Sequence, residues 1–341
     1  MTQVPSFAVV SGQQVSGVLH GREKQVVEVV EAAYRLHGEG RTVNPDSYFL
    51  RFPDRPSARI IALPASIGAP VDVHGIKWIS SFPENVAAGL PRASAVLILN
   101  DTATGYPLAC LESSIISAAR TAASAALAAT TLAAARGVTP RRAGFVGTGL
   151  IARYLHTYLV AAGLSFDEVG VFDLDREHAD GFEAYLGRAG ADPVTIHDDA
   201  ASLITASDLV VLATVAGEPH IHDPGLLAHN PLVLHVSLRD LSPEIILSSC
   251  NILDDVEHCM KAGTSPHLAE QRTGGRSFVD GTLYDVLEGR VTPPAGRPVV
   301  FSPFGLGVLD LAVARYVFDE VSASGDLMTV PGFFHELKRH G

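Results

Sequence analysis

The stretch "GFVGTGLIARYL", residues 144–155, decides how the rest of this chain is read. An apolar strand over 142–147 runs into a turn, and a helix over 149–162 follows. The turn is Gly147-Thr148-Gly149-Leu150-Ile151-Ala152, a GxGxxA pattern. Its first glycine permits a tight turn, its second lets backbone approach a phosphate, and the small Ala152 lets helix pack on strand. The helix N-terminus then offers unpaired N–H groups and a favourable dipole to an anion. The next strand, 168–173, ends at Asp173. A carboxylate there accepts hydrogen bonds from ribose hydroxyls and repels a 2′-phosphate, so the pattern predicts NAD over NADP. Arg176 is the nearby cation that would tolerate the extra phosphate. Thr214 and Val215 close a strand over 207–213, and strand C-termini face the ligand crevice in such sheets, so Thr214 is expected beside the cofactor.

Outward from the turn, strands and helices alternate. A helix over 175–188, a strand over 193–196, a helix near 199–205, and strands over 207–213, 231–236 and 250–254 indicate a doubly wound parallel sheet. Upstream the rhythm differs. A helix over 22–38 stops at Gly38, and strands follow at 58–63, 74–80, 94–100 and 107–111, with a hairpin turn at "NDTATGYP" (100–107). A long helix over 113–136 is closed by Gly137, and Glu112 sits before it as a favourable first-turn charge. A last helix spans 304–323. The expected fold class is α/β: a Rossmann-type doubly wound parallel sheet plus an α+β domain with mostly antiparallel sheet.

Composition narrows the function classes. The chain has 341 residues, 47% hydrophobic and 18% charged, enough for two packed domains. A net charge of −12 without a basic block argues against nucleic acid, yet a few arginines in one pocket still suit a small anion. Cys110, Cys250 and Cys259 are too scattered for a disulfide framework or a zinc site. The start "MTQVPSFAVVSG" lacks the pattern of a signal peptide, and Ala118–Ala135 carries Arg120, Ser124, Thr130 and Thr131, which reads as a packed helix and not a membrane span. A cytoplasmic protein is expected. "HIHD" (220–223) offers His220, His222 and Asp223, but on a loop, and no metal site is expected there.

Three further residues stand out. Lys77 lies inside an apolar strand between Ile76 and Trp78, either facing solvent or held inward to meet a carboxylate. Arg120 stands in the first turns of the alanine-rich helix. Asp240 follows the strand "LVLHVSL", where a carboxylate suits a proton acceptor; Ser242 and Pro243 already supply the start of the helix "SPEIIL" (242–247).

Together, "GIKWIS" with Lys77, "LESSIISAARTAASAALAA" with Glu112, Arg120 and Thr121, "VGTGLIA", and "VSLRDLSPEI" with Asp240 resemble the ornithine cyclodeaminase/μ-crystallin family over nearly the whole chain. "RIIALP" (59–64), "HGIKWISSFPEN" (74–85) and "PRASAVLILND" (91–101) are similar to its branch of dehydrogenases acting on N-(2-amino-2-carboxyethyl)-L-glutamate. That branch supplies 2,3-diaminopropionate for siderophores and peptide antibiotics. The resemblance implies a substrate-binding and dimerisation domain (1–118, completed by 305–341), an NAD-binding domain (119–304) and a homodimer. It implies that Lys77 and Arg120 bind substrate carboxylate, that Asp240 and Lys77 handle protons, and that Thr121 joins Gly147, Thr148, Gly149, Leu150, Ile151, Asp173, Arg176, Thr214 and Val215 around NAD. Arg51 or Arg59 would supply another substrate contact, with Arg51 favoured. A tricarboxylate amine demands more cations, and Arg92 is the further candidate. The cyclodeaminases carry a glutamate in the segment that here reads "IIALP", and this chain has Ile61 near that place, which argues against ornithine cyclisation. A redox-neutral cyclodeaminase and a non-catalytic NAD(P)H or ligand binder are the alternatives.

Overall fold

A computed structural model describes residues 6–191 and 193–337; the first five residues of the start expected to lack a signal peptide, Met1–Pro5, lie outside them. The chain divides into two compact units, 1–120 with 306–341, and 121–305.

The second unit is built on eight parallel strands. Their order is Val194–Ile196, Glu168–Phe172, Arg142–Val146, Leu209–Leu212, Leu232–His235, Val299–Ser302, Cys250–Leu253 and Val279–Thr282. Strands such as Leu209–Leu212 are buried along their whole length, which is why they read as unbroken apolar runs. Going outward from the central Arg142–Val146 strand, connections first run one way and then reverse to Leu209–Leu212. The C-terminal ends at that reversal are where such sheets bind ligands. Two strands were not anticipated. "VVFS" (299–302) inserts between Leu232–His235 and Cys250–Leu253. Val279–Thr282 forms the edge. A four-residue apolar run carries no periodicity, so sequence could not separate it from a buried turn of helix.

The first unit holds a sheet ordered Met328–Thr329, Ala8–Val10, Pro107–Glu112, Ala93–Asn100, Val73–Ser81, Arg55–Ile67 and Thr42–Val43, with Tyr48–Phe52 also pairing Arg55–Ile67. It is antiparallel except where Ala8–Val10 meets Pro107–Glu112. The strand expected at 58–63 is therefore longer, and it continues through Pro64 because its other edge groups still pair with Val73–Ser81. The helix Gly307–Ser324, expected to begin at 304, packs across three of these strands. Gly75 makes that approach possible: a Cβ there would lie 2.3 Å from the Ile98 carbonyl oxygen and 2.7 Å from Leu311. Under the helix, Leu97, Leu99 and Leu111 are fully buried, each stabilising by about 1.5–3 kcal/mol.

Local punctuation follows the chemistry with small departures. Asp101 accepts from the Thr104 N–H at 2.7 Å and Gly105 has φ 74, which closes the 100–107 turn. Gly38 is the last helical residue and not the stop; the left-handed residue is Gly40, φ 72. Glu112 accepts from Ser114 N and Ile115 N and so caps the helix Ser114–Arg136. That helix is long and apolar enough to cross a membrane, but its most apolar window is 72% buried, as for a core helix. All three cysteines are free thiols.

Candidate active site

In the second unit the glycine turn has the shape its residues imply. Gly147 has φ 86, and a Cβ on it would sit 2.7 Å from the Ala213 carbonyl oxygen, so only glycine fits where the turn passes the end of the Leu209–Leu212 strand. Thr214 and Val215 follow directly in that strand end. Gly149 caps the helix Leu150–Ala161 with no side chain on its N–H groups, and space for a Cβ around Gly149 is empty. An anion can therefore take those donors. Leu150 is half exposed and Ile151 partly buried beside it.

Asp173 ends the neighbouring strand. One carboxylate oxygen accepts from Thr148 N at 2.9 Å and Oγ1 at 2.7 Å, and the other from Asp175 N at 3.1 Å. Burial opposes its charge, but these bonds outweigh that and hold it below the usual carboxylate range. Beyond it a cavity of about 370 Å³ is lined by Asp173, Leu174, Arg176, Ile196, His197 and Asp198. Arg176 lies there, but its Nε donates to Asp180 at 2.8 Å. With Asp173 ionised and Arg176 turned to a carboxylate, the residues fit the adenosine of NAD better than a 2′-phosphate.

Asp240 is fully buried at the end of the Leu232–His235 strand. Thr214 Oγ1 and His220 Nε2, the latter at 3.1 Å, donate to one carboxylate oxygen; Ser237 Oγ donates to the other. Thr214, expected beside the cofactor, is thus tied to Asp240. Burial disfavours this carboxylate's charge, yet His220, then the neighbouring His235 and Ser237, hold it well below the usual range. His235 Nε2 lies 3.1 Å from the Asp240 N–H and 3.3 Å from its carboxylate. One ring nitrogen cannot accept from the first and donate to the second. The amide proton is fixed, so Nε2 accepts from Asp240 N, and Nδ1 lies toward Ser302 Oγ at 3.3 Å. Leu238, between these groups, has φ 70, a strained conformation for leucine. Ser242 does cap the following helix in position, but its hydroxyl makes no capping bond.

In the first unit Lys77 is 2% exposed, so the inward alternative holds. Its Nζ donates to Asp310 Oδ2 at 2.6 Å and reaches Ser117 Oγ at 3.4 Å. Arg120 Nε donates to Asp310 Oδ1 at 3.0 Å. Burial pulls the Lys77 ammonium down to about 8, Asp310 works against that, and Arg120 adds to it. Two cations share one carboxylate, leaving one positive charge for a ligand. Asp310 was missed in the sequence, although an acid inside "GVLDLAVARYV" is a visible interruption of an apolar helix.

Register places Arg59 and Arg51 on the Lys77 face. Lys77 pairs with Leu63, and Ser81 pairs with Arg59, which in turn pairs with Arg51. Even spacing puts Lys77, Ser81, Arg59 and Arg51 on one side of the sheet, with Ile61 between. Arg92 reaches Ser81 Oγ at 3.5 Å. Burial and then Arg51 lower the Arg59 guanidinium; burial and then Arg59 lower that of Arg92. Among the described residues Arg51, Arg59 and Arg92 make no ion pair with a carboxylate. Thr121 is partly buried in the long helix.

The model of the ornithine cyclodeaminase/mu-crystallin family matches residues 9–325. The chain is 26% identical to an alanine dehydrogenase of Archaeoglobus fulgidus, over 86% of this chain and 89% of that protein. It is 26% identical to the N-((2S)-2-amino-2-carboxyethyl)-L-glutamate dehydrogenase of Staphylococcus aureus, over 88% and 91%. An archaeal alanine dehydrogenase dimer with bound NAD superposes with a TM-score of 0.85 at 23% identity, covering 96% of this chain and all of that one (100%). The glycine turn, the buried lysine and the aspartate after the fifth strand stand in a chain that belongs to the ornithine cyclodeaminase/mu-crystallin family.

Proposed function

We propose that the protein is an NAD-dependent oxidoreductase that cleaves N-(2-amino-2-carboxyethyl)-L-glutamate to L-2,3-diaminopropionate and 2-oxoglutarate, as supply for siderophore or peptide-antibiotic assembly. The carrying observation is the row of arginines. Among the described residues Arg51, Arg59 and Arg92 crowd one sheet face without a carboxylate, which is costly unless an anion with several carboxylates settles there. The named Staphylococcus aureus relative supports the same substrate. Ile61 on that face offers no carboxylate to hold a second amine, which weighs against the cyclodeaminase reading.

The first unit's Lys77 and Arg120 hold one substrate carboxylate, and the arginine row holds the others. Gly147, Thr148 and Gly149 take the pyrophosphate, and Asp173 takes the ribose. When bound, NAD supplies the hydride acceptor. Oxidation of the glutamyl Cα–N bond leaves an imine, water adds to its carbon, and the carbinolamine collapses to ketone and amine. The Asp240 cluster handles the protons of that hydrolysis. The balance is amine, NAD and water in; 2-oxo acid, amine, NADH and a proton out. The apolar row Tyr48, Ala62, Trp78 and Val96 crosses the opposite sheet face, with Tyr48 72%, Trp78 42% and Val96 42% exposed. We assign that row to a homodimer contact; a monomeric mass by light scattering at micromolar concentration would remove the assignment.

The test is incubation with NAD and the glutamate–diaminopropionate conjugate. NADH, 2-oxoglutarate and diaminopropionate are expected in equal amounts. Proline and ammonia from ornithine without net NADH, or nucleotide binding with no turnover of any amino acid, would overturn the reading.

A further inference from the structure

His220 carries a feature that neither the glycine turn nor the arginine row explains. It belongs to "GEPHIHD", a loop with no metal-site spacing, and it is fastened to Asp240 twice. The backbone carbonyl of Asp240 accepts from His220 N at 3.0 Å and from Ile221 N at 2.9 Å, and a parallel bridge joins Ile221 to Leu241. The side chain returns to the same residue, with Nε2 3.1 Å from Asp240 Oδ1. Backbone and ring are thus both fixed on one buried acid.

Exposure separates the partners. The Asp240 side chain is 0% exposed and the His220 side chain 42%. The Asp240 carboxylate accepts from Thr214, His220 and Ser237, and because it is buried it does not face outward itself. An ionised carboxylate can only accept, so His220 Nε2 carries a ring proton, and in the neutral ring Nδ1 carries the lone pair. Among the described residues Nδ1 has no hydrogen-bond partner. A carboxylate that fixes an imidazole tautomer while the second nitrogen stays open is the arrangement of a general base.

We propose that His220, oriented by Asp240, is the general acid–base residue that moves the protons of imine hydrolysis. This rests on the amine-cleaving reading above. Water adds to the carbon of the protonated imine, and His220 Nδ1 takes the proton that the water loses. The imidazolium, stabilised by Asp240, then gives that proton to the nitrogen of the carbinolamine. The C–N bond breaks with its electron pair leaving on the amine, the hydroxyl proton returns to Nδ1, and the ketone forms. One proton is finally released to solvent from the exposed ring. Asp240 is then a positioning residue for His220 and never needs to reach substrate.

Stopped-flow NADH formation from the conjugate separates oxidation from hydrolysis. In His220→Ala the first turnover should still give close to one NADH per site, while steady-state turnover falls about 10²–10³-fold. Added imidazole should restore part of it, beyond any effect of matched salt. His220→Gln supplies an N–H to Asp240 but no titratable nitrogen, so it should be as slow as His220→Ala. Wild-type-like turnover in His220→Ala, recovery in His220→Gln, or equal loss of burst and steady state without imidazole response would each overturn the assignment. A wild-type protein that forms no NADH from the conjugate would instead bring down the substrate reading.

Discussion

Lys77 and Asp240 are both buried charges, and the molecule treats them in opposite ways. Lys77 meets a charge: Asp310 at 2.6 Å, itself shared with Arg120 at 3.0 Å. Asp240 meets hydroxyls and imidazoles: Thr214, Ser237 and the Nε2–H of His220, with His235 Nε2 3.3 Å away. The first arrangement leaves the ammonium lowered to about 8, whereas the second holds the carboxylate well below its usual range. A group suited to releasing a proton and a group suited to orienting one are thus made by the choice of partner, with burial common to both.

The sharpest break in that comparison is removal of the charged partner. Asp310→Asn leaves Lys77 and Arg120 facing each other without a carboxylate, and should cost about 3–5 kcal/mol of stability in chemical denaturation. Removing a neutral partner from Asp240 should cost less: Ser237→Ala is expected to lose about 1–3 kcal/mol. A combined Lys77→Met, Asp310→Leu variant should regain most of the first loss, because it removes the buried charges together. If Asp310→Asn is as stable as wild type, Lys77 is neutral in the folded protein and the contrast with Asp240 fails.

The arginine row extends the comparison to a cluster that meets no carboxylate among the described residues, and on the function proposed above its counter-charge comes from the substrate. Arg59→Gln and Arg92→Gln should each raise the KM for the tricarboxylate about tenfold, from loss of a charge-assisted hydrogen bond of about 1.5 kcal/mol, with kcat little changed. Relief of the Arg51–Arg59–Arg92 crowding should leave the unliganded protein as stable as wild type or slightly more so. A parallel fall in kcat would mean that these arginines set the geometry of the reacting bond and do more than hold the distal carboxylates.

What the sequence made legible follows the same division. The glycine turn, Asp173 and the strand–helix alternation are local patterns, and they could be read because backbone conformation and helix dipoles act over a few residues. Lys77, Arg120 and Asp240 stood out as charges in apolar surroundings. Their partners did not. Asp310 comes from a helix far along the chain, and the loop around His220 gives no hint in sequence that it runs alongside 240–241. His235 was read as part of an ordinary strand, since nothing in "VLHV" shows that its ring accepts from Asp240 N. Arg51 and Arg59 become neighbours through strand register, a long-range property that a single strand pattern does not contain.

The smallest expected effect tests the protonation contrast without touching either partner. Lys77 has a folded value near 8 against an ordinary 10.5, so between these values the unfolded chain holds the extra proton and the folded one does not. Stability contributed at this site should therefore rise with pH through that window, by about 1 kcal/mol between pH 8 and 9. Lys77→Met should lack the rise, so the comparison is the difference between the two proteins and not the absolute slope, which includes every other group that titrates there. Asp240 must behave in the mirror sense. Its folded value lies below the ordinary 3.8, so its contribution is complete above that pH and is lost as pH falls toward the depressed value. Asp240→Asn should remove that acid-side loss while leaving the alkaline rise intact. If Lys77→Met and wild type keep a constant stability difference across the alkaline window, Asp310 holds the ammonium fully charged there, and the positive charge at this site does not titrate near neutral pH.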